Sequence, residues 1–144
     1  MRKIKTVIKR NSTKIYTIII PTYNRPKYLE RILSYYNGFE ENYNIIIADS
    51  SSDKNKKINK KIISLFSNLK ILCLNNYSYK INLYYKIADT LNYVNTKYSV
   101  LCADDDFIIT NGLSQSVAFL EKNSDFSVVE QGRFISFYIK NNDK

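Results

Sequence analysis

Tyr98-Ser99-Val100-Leu101-Cys102-Ala103-Asp104-Asp105-Asp106-Phe107 carries an apolar, strand-forming run straight into three carboxylates with no basic residue among them. Such a cluster asks for a cation. In a strand or its extended exit successive side chains alternate in direction, so Asp104 and Asp106 are expected to point one way and Asp105 the other. Two carboxylates can then share one metal ion. The competing reading is a solvated acidic loop that begins a helix, whose dipole welcomes negative charge. The rest of the chain decides between the two.

Upstream, residues 15–20 are β-branched and aromatic and run into Pro21, which cannot extend a ladder from a central position, so a first strand is expected to end there. Pro26 suits the first turn of a helix. Tyr28, Leu29, Ile32, Leu33 and Tyr36 then recur at helical spacing until Asn37-Gly38 stops the run. Residues 43–48 form a second strand. From about Asp53, an amphipathic helix presents Ile58, Ile62, Leu65, Phe66 and Leu69 on one face and lysines on the other. Residues 69–74 give a third strand, and Leu83, Tyr84, Ile87, Ala88 and Leu91 mark a third helix running to about Asn95. The opening stretch supplies a fourth strand at 98–103. Beyond the acidic triplet, Thr110 or Asn111 is placed to cap a shorter helix carrying Leu113, Val117 and Leu120. Two further strands are expected at 126–129 and 134–139, separated by Gly132. Strands alternating with helices call for an α/β protein, a mostly parallel sheet covered by helices on both faces with right-handed crossovers.

The 144 residues allow one domain with one core, and a composition of 44% hydrophobic residues with three Gly and two Pro argues against disorder or a fibrous repeat. Net charge is +9 and unevenly spread. Residues 1–14 hold Arg2, Lys3, Lys5, Lys9, Arg10 and Lys14 with no acid, and a second cluster is Lys54, Lys56, Lys57, Lys60 and Lys61. These read as a basic tail and the solvated face of a helix, and no nucleic-acid partner is expected because aromatic and basic residues do not interleave. Cys73 and Cys102 sit inside apolar runs, as small buried hydrophobes do, and suggest no disulfide framework. With no His in the chain, His-based acid chemistry and His metal sites are excluded. No apolar stretch near the start approaches the ~20 residues a membrane span needs. We expect a cytoplasmic protein whose basic start could draw it to the inner membrane surface as a peripheral partner.

Ligands of open α/β sheets sit outside the carboxyl ends of the strands, where strand order reverses. Three polar groups follow strands here: Pro21-Thr22-Tyr23-Asn24-Arg25, Asp49-Ser50-Ser51-Ser52-Asp53 and the acidic triplet. Singly, each is ordinary turn chemistry. A parallel sheet brings all three to one edge. There Arg25 can face a phosphate, the backbone at Pro21 and Thr22 with the ring of Tyr23 can hold a base, and Asp49 can accept hydrogen bonds from a base imide or ribose. The triplet would hold Mg²⁺ or Mn²⁺, which characteristically bridges carboxylates to substrate phosphates. Together they describe a site for a nucleotide diphosphate.

In order along the chain, Ile18-Ile19-Ile20-Pro21-Thr22-Tyr23-Asn24-Arg25, then Ile45-Ile46-Ile47-Ala48-Asp49-Ser50-Ser51-Ser52-Asp53, then Ala103-Asp104-Asp105-Asp106 resemble the nucleotide-binding half of family 2 glycosyltransferases with the GT-A fold. The resemblance runs from about Ile15 to Asn123. It implies a Rossmann-like GT-A three-layer α/β sandwich around a mostly parallel sheet, truncated after the metal-binding motif, with residues 1–14 as a basic lead and 15–144 as the nucleotide-sugar-binding domain. It also implies that Pro21, Thr22, Tyr23, Arg25, Asp49, Asp104 and Asp105 bind the nucleotide, with Asp49 at the base. Asp104 would lie by the ribose and metal, and Asp106 would be the principal metal ligand. Lys86 could approach the diphosphate, although an ordinary helical lysine is solvated. The loop after the second strand departs from the family pattern, since Ser50–Ser52 stand where a form such as Asp-Asp-Gly-Ser is usual. Asp125 and Glu130 follow the triplet in no pattern that identifies a catalytic base.

The implied activity is metal-dependent, inverting transfer of a sugar from a nucleotide-diphosphate donor, a UDP-sugar, to the hydroxyl of a saccharide or other acceptor. A non-catalytic nucleotide-binding or partner-binding module lacking the acceptor half is the main rival, separated from the enzyme by product formation. A receiver-like signalling domain needs an acid pair after the first strand, which residues 21–25 lack.

Overall fold

The structure, a computed structural model, describes residues 15–39 and 43–130. The basic lead and the strand expected at 134–139 lie outside the described residues. The chain divides into two compact units, Met1–Phe107 and Ile108–Lys144.

The first unit alternates β1 (Tyr16–Thr22), α1 (Pro26–Asn37), β2 (Tyr43–Asp49), α2 (Asp53–Ser64), β3 (Ile71–Leu74), α3 (Leu83–Leu91) and β4 (Tyr98–Leu101). The four strands form one sheet in the order β3-β2-β1-β4, every pairing parallel. Right-handed crossovers put α1 and α2 on one face, where they pack on each other, and α3 on the opposite face against β1 and β2. β2 is buried along its whole length, as a central parallel strand covered on both faces must be. Tyr43, Ile45, Ile47 and Asp49 alternate toward the α1/α2 side. There Tyr43 Oη donates to the Tyr36 carbonyl at 2.6 Å. On the other face Ile46 and Ala48 cluster with Leu74 and Tyr77.

α1 follows its sequence signals: Pro26 opens it, and Leu29, Ile32, Leu33 and Tyr36 are fully buried. Each aliphatic contributes about 1.5–3 kcal/mol on burial. Elsewhere the structure corrects the expectations. β1 continues through Pro21 and Thr22, which pair in register with Ala48 and Asp49. The Ile19 carbonyl accepts from Cys102 N on the β4 side, whereas the Thr22 carbonyl accepts from Ser50 N on the β2 side. Backbone direction alternates, so the N–H that Pro21 lacks would face β4, whose ladder stops opposite Ile19. Cys102 N donates to the Ile19 carbonyl, and the next rung of a parallel pair would run from residue 21 N–H to the Cys102 carbonyl, so Pro21 is where the β1–β4 ladder ends. α2 is rotated from its expected face: Asn59 and Ile62 are buried while Leu65 is 70% exposed. α3 ends at Leu91 and buries Lys86 and Thr90, leaving Leu83, Tyr84 and Leu91 exposed.

In the second unit α4 spans Thr110–Lys122, thirteen residues rather than the short helix expected. Ile109 occupies the cap position with no side-chain bond, so neither Thr110 nor Asn111 caps it. Residues 126–129 form no strand. Phe126 N instead donates to the Asn123 carbonyl at 3.2 Å, turning the chain so that its ring meets Phe119 edge-on at 5.4 Å.

Candidate functional site

Between β1 and β4 the strand order reverses, and at their carboxyl ends a cleft of about 240 Å³ opens. Pro21, Thr22, Tyr23 and Arg25 line it from the exit of β1, Leu83 and Lys86 from α3, and Ala103, Asp104 and Asp105 from the exit of β4.

The chain leaves β4 in a turn rather than an extended run, closed by Asp106 N donating to the Ala103 carbonyl at 3.1 Å. This changes the expected alternation. Asp104 is 4% exposed, and its Oδ2 accepts from Thr22 Oγ1 at 2.7 Å. Asp105 and Asp106 are exposed. The cation that the triplet asks for comes from eighty positions upstream in sequence: Arg25 Nη1 reaches Asp104 Oδ1 at 3.2 Å and Asp105 Oδ2 at 2.9 Å. The hydrogen bond to Asp105, together with both carboxylate charges, raises the Arg25 pKa further above its usual value. Arg31 Nη2 donates to the Asp105 carbonyl at 2.8 Å. Both guanidiniums lie over the Tyr28 ring, at 5.4 and 5.0 Å, which explains why this tyrosine of the apolar α1 stripe is half exposed.

Asp49 does not line the cleft. It is fully buried behind it, Oδ1 accepting from Ser51 N and Oδ2 from Asn59 Nδ2, each at 2.8 Å. The Asp49–Ser51 bond is an Asx-turn that shapes the serine loop. No glycine is needed there, because Asn24 is the one described non-glycine residue with positive φ, at 54°. Asn24 sews the exits of β1 and β2 together. Its N–H donates to Ser51 Oγ at 2.8 Å, and its Oδ1 accepts from Ser52 N and Asn55 Nδ2, both at 2.9 Å. Asn is among the residues that tolerate left-handed backbone.

Lys86 is not the solvated lysine of an ordinary helix. It is 4% exposed, and Nζ donates to the Thr22 carbonyl at 3.2 Å and Ser50 Oγ at 2.9 Å. Burial lowers its pKa, opposed by the nearby charges of Asp49 and Asp104. Periodicity alone picks the apolar side of α3 as inward and misses it. The available signal was the polar stripe of Asn82, Lys86 and Thr90 at four-residue intervals, with Asn82 capping the helix through Tyr84 N at 2.8 Å.

Six of the residues read from sequence thus meet in one cleft, while Asp49 supports it from behind and Asp106 stands outside its lining. Among the described residues the Asp106 carboxylate has no hydrogen bond or ion pair, and no three acidic or cysteine side chains converge as a ready metal cage. The donor set is hard oxygen, and one or two carboxylates completed by substrate phosphates are what Mg²⁺ and Mn²⁺ accept. The residues fit such an ion.

Solved structures with this architecture include a mannosyltransferase, PcManGT, from Pyrobaculum calidifontis in complex with GDP-Man and Mn²⁺. It has a TM-score of 0.63 at 16% identity over 77% of this chain and 33% of that one. Residues 1–349 of TarS from S. aureus match with a TM-score of 0.59 at 21% identity, covering 76% of this chain and 33% of that one. The same TarS segment in complex with UDP-GlcNAc gives 0.57 at 22% identity, covering 76% and 32%. The chain spans about a third of the length of these structures. No curated protein sequence matches it significantly. The fold is a GT-A-like α/β sandwich around a parallel sheet. A family profile, Glycosyl transferase family 2, matches residues 17–140, and the chain belongs to that family.

Proposed function

We propose that this chain carries the donor site of a metal-dependent, inverting glycosyltransferase that takes a UDP-sugar and delivers the sugar to the hydroxyl of a saccharide or other acceptor. One observation carries the reading: Arg25, Lys86 and Asp104 arrive from β1, α3 and β4 at a single cleft beside the exposed ring of Tyr23. Cationic donors and carboxylates within one small volume suit a diphosphate and the ion that accompanies it.

In this reading Tyr23 and the backbone of Pro21 and Thr22 cradle the base. Asp49, with both oxygens engaged internally, holds the serine loop in place rather than touching the base directly. Asp104, fixed by Thr22, meets the ribose, and Lys86 and Arg25 face the phosphates. Asp104 and Asp106 would hold Mg²⁺ or Mn²⁺, which neutralises charge growing on the leaving diphosphate. Lys86 carries its charge already desolvated at the cleft wall, so little reorganisation accompanies phosphate binding.

The test is Asp106→Asn, with calorimetry of UDP in the presence of Mn²⁺. The carboxylate is exposed and unengaged among the described residues, so circular dichroism is expected to match wild type. Metal-dependent affinity should fall at least about tenfold. Undiminished affinity ends the metal assignment.

A further inference from the structure

The acidic corner already holds a cation, and it is one the protein provides. Arg25 Nη1 bridges Asp104 Oδ1 and Asp105 Oδ2 at 3.2 and 2.9 Å, putting a single positive charge between the two carboxylates that line the cleft. Building on the donor-site reading, we propose that Arg25 is an interlock: its guanidinium occupies the acidic corner in the free protein and leaves only when a nucleotide diphosphate offers it phosphate oxygens, so divalent-cation binding is conditional on the nucleotide.

Three observations support it. First, the pairing occupies the acidic corner yet can exchange. Asp104 is buried, yet the Arg25 side chain is 49% exposed, and exposed ion pairs are easily exchanged. Second, Arg25 lines the same cleft that the diphosphate would enter, and a guanidinium fork matches phosphate as well as it matches carboxylate. Third, Asp106 is free of any described partner, so without Arg25 moving an ion finds one open carboxylate, and with Arg25 gone it finds Asp104 as well. Coupling of this kind is reciprocal: cation and diphosphate each raise the other's affinity by the same factor.

Simple charge removal near acids also tightens cation binding, so the experiment needs a control. Arg31 supplies it. Its guanidinium touches the Asp105 carbonyl but no carboxylate oxygen. Mn²⁺ binding is measured by electron paramagnetic resonance on wild type, Arg25→Met and Arg31→Met, with and without UDP. Without UDP, Arg25→Met is expected to bind Mn²⁺ about tenfold more tightly than wild type, and Arg31→Met less than about threefold more tightly. UDP should tighten Mn²⁺ binding about tenfold or more in wild type and clearly less in Arg25→Met. If Arg25→Met destabilises the start of α1, Arg25→Lys keeps the charge, loses the fork and should shift in the same direction by a smaller factor. Equal effects from the two methionine variants, or an unchanged UDP enhancement in Arg25→Met, overturn the interlock while leaving the donor site standing. Absence of Mn²⁺ binding to all the proteins with UDP present overturns the donor-site reading itself.

Discussion

Lys86 holds an ammonium where burial disfavours it, and four oxygen-bearing neighbours make the position tolerable: the Thr22 carbonyl, Ser50 Oγ and the more distant charges of Asp49 and Asp104. Its balance predicts a split between stability and binding. In Lys86→Met, relief from burying a charge offsets two oxygens left without their donor, and the unfolding free energy at pH 7 should stay within about 1 kcal/mol of wild type. Affinity for UDP should fall about tenfold or more. The pH dependence has a definite sign. The folded pKa lies below the usual 10.5, so as pH rises toward 10.5 the unfolded chain holds the proton longer than the folded one. Wild-type stability relative to Lys86→Met should therefore rise with pH in that window, measured by urea titration at several pH values. A difference that falls with pH would mean the ammonium is stabilised where it sits. Cys73 behaves in the opposite sense: burial, with the Asp49 charge, pushes its thiol up to about 11, so it stays protonated and unreactive near neutrality.

At the scale of elements, α1 and α3 answer the same periodic pattern differently. In α1 the apolar stripe is the buried face, with Ile32 and Leu33 fully enclosed against the sheet. In α3 the polar stripe turns inward: Lys86 Nζ reaches the Thr22 carbonyl at the end of β1 and Ser50 Oγ just past β2. Thr90 Oγ1 donates to the Lys86 carbonyl and lies 3.2 Å from Tyr77 Oη, and Tyr77 Oη donates to Asp89 Oδ2 at 2.8 Å. Tyr84 is left 80% exposed. Thermal or urea unfolding should register this contrast. Ile32→Ala should lose about 2–5 kcal/mol, whereas Tyr84→Gln should change stability by no more than about 0.5 kcal/mol. A large loss at Tyr84 would place α3 the other way round. β1 teaches a related point: a proline can sit inside a central strand at the position where one of its two ladders ends, while the other ladder continues through it.

Among the described residues the polar and charged side chains of the cleft gather at the carboxyl edge of the sheet, and α2 adds exposed lysines. No helix among the described residues is long and apolar enough to cross a membrane. The net charge of +9 and the exposed Lys54, Lys57 and Lys61 of α2 support the proposal of a peripheral association with an anionic lipid surface. Sedimentation with vesicles containing anionic phospholipid should then carry the protein down at low salt and release it as salt rises toward about 0.5 M. Equal binding to zwitterionic vesicles would exclude this. The residues themselves determined the alternation of strands and helices, the parallel sheet and the list of loops at its carboxyl edge, because hydrophobic period and turn chemistry are local properties. That was enough to name six of the cleft's residues. Tertiary structure alone decided that Asp49 is a buried brace, that the exit of β4 is a turn, that Lys86 faces inward, and that Arg25 bridges Asp104 and Asp105. Each of these depends on which distant oxygen or charge lies within hydrogen-bond reach once the strands are paired, and no spacing along the chain encodes that distance.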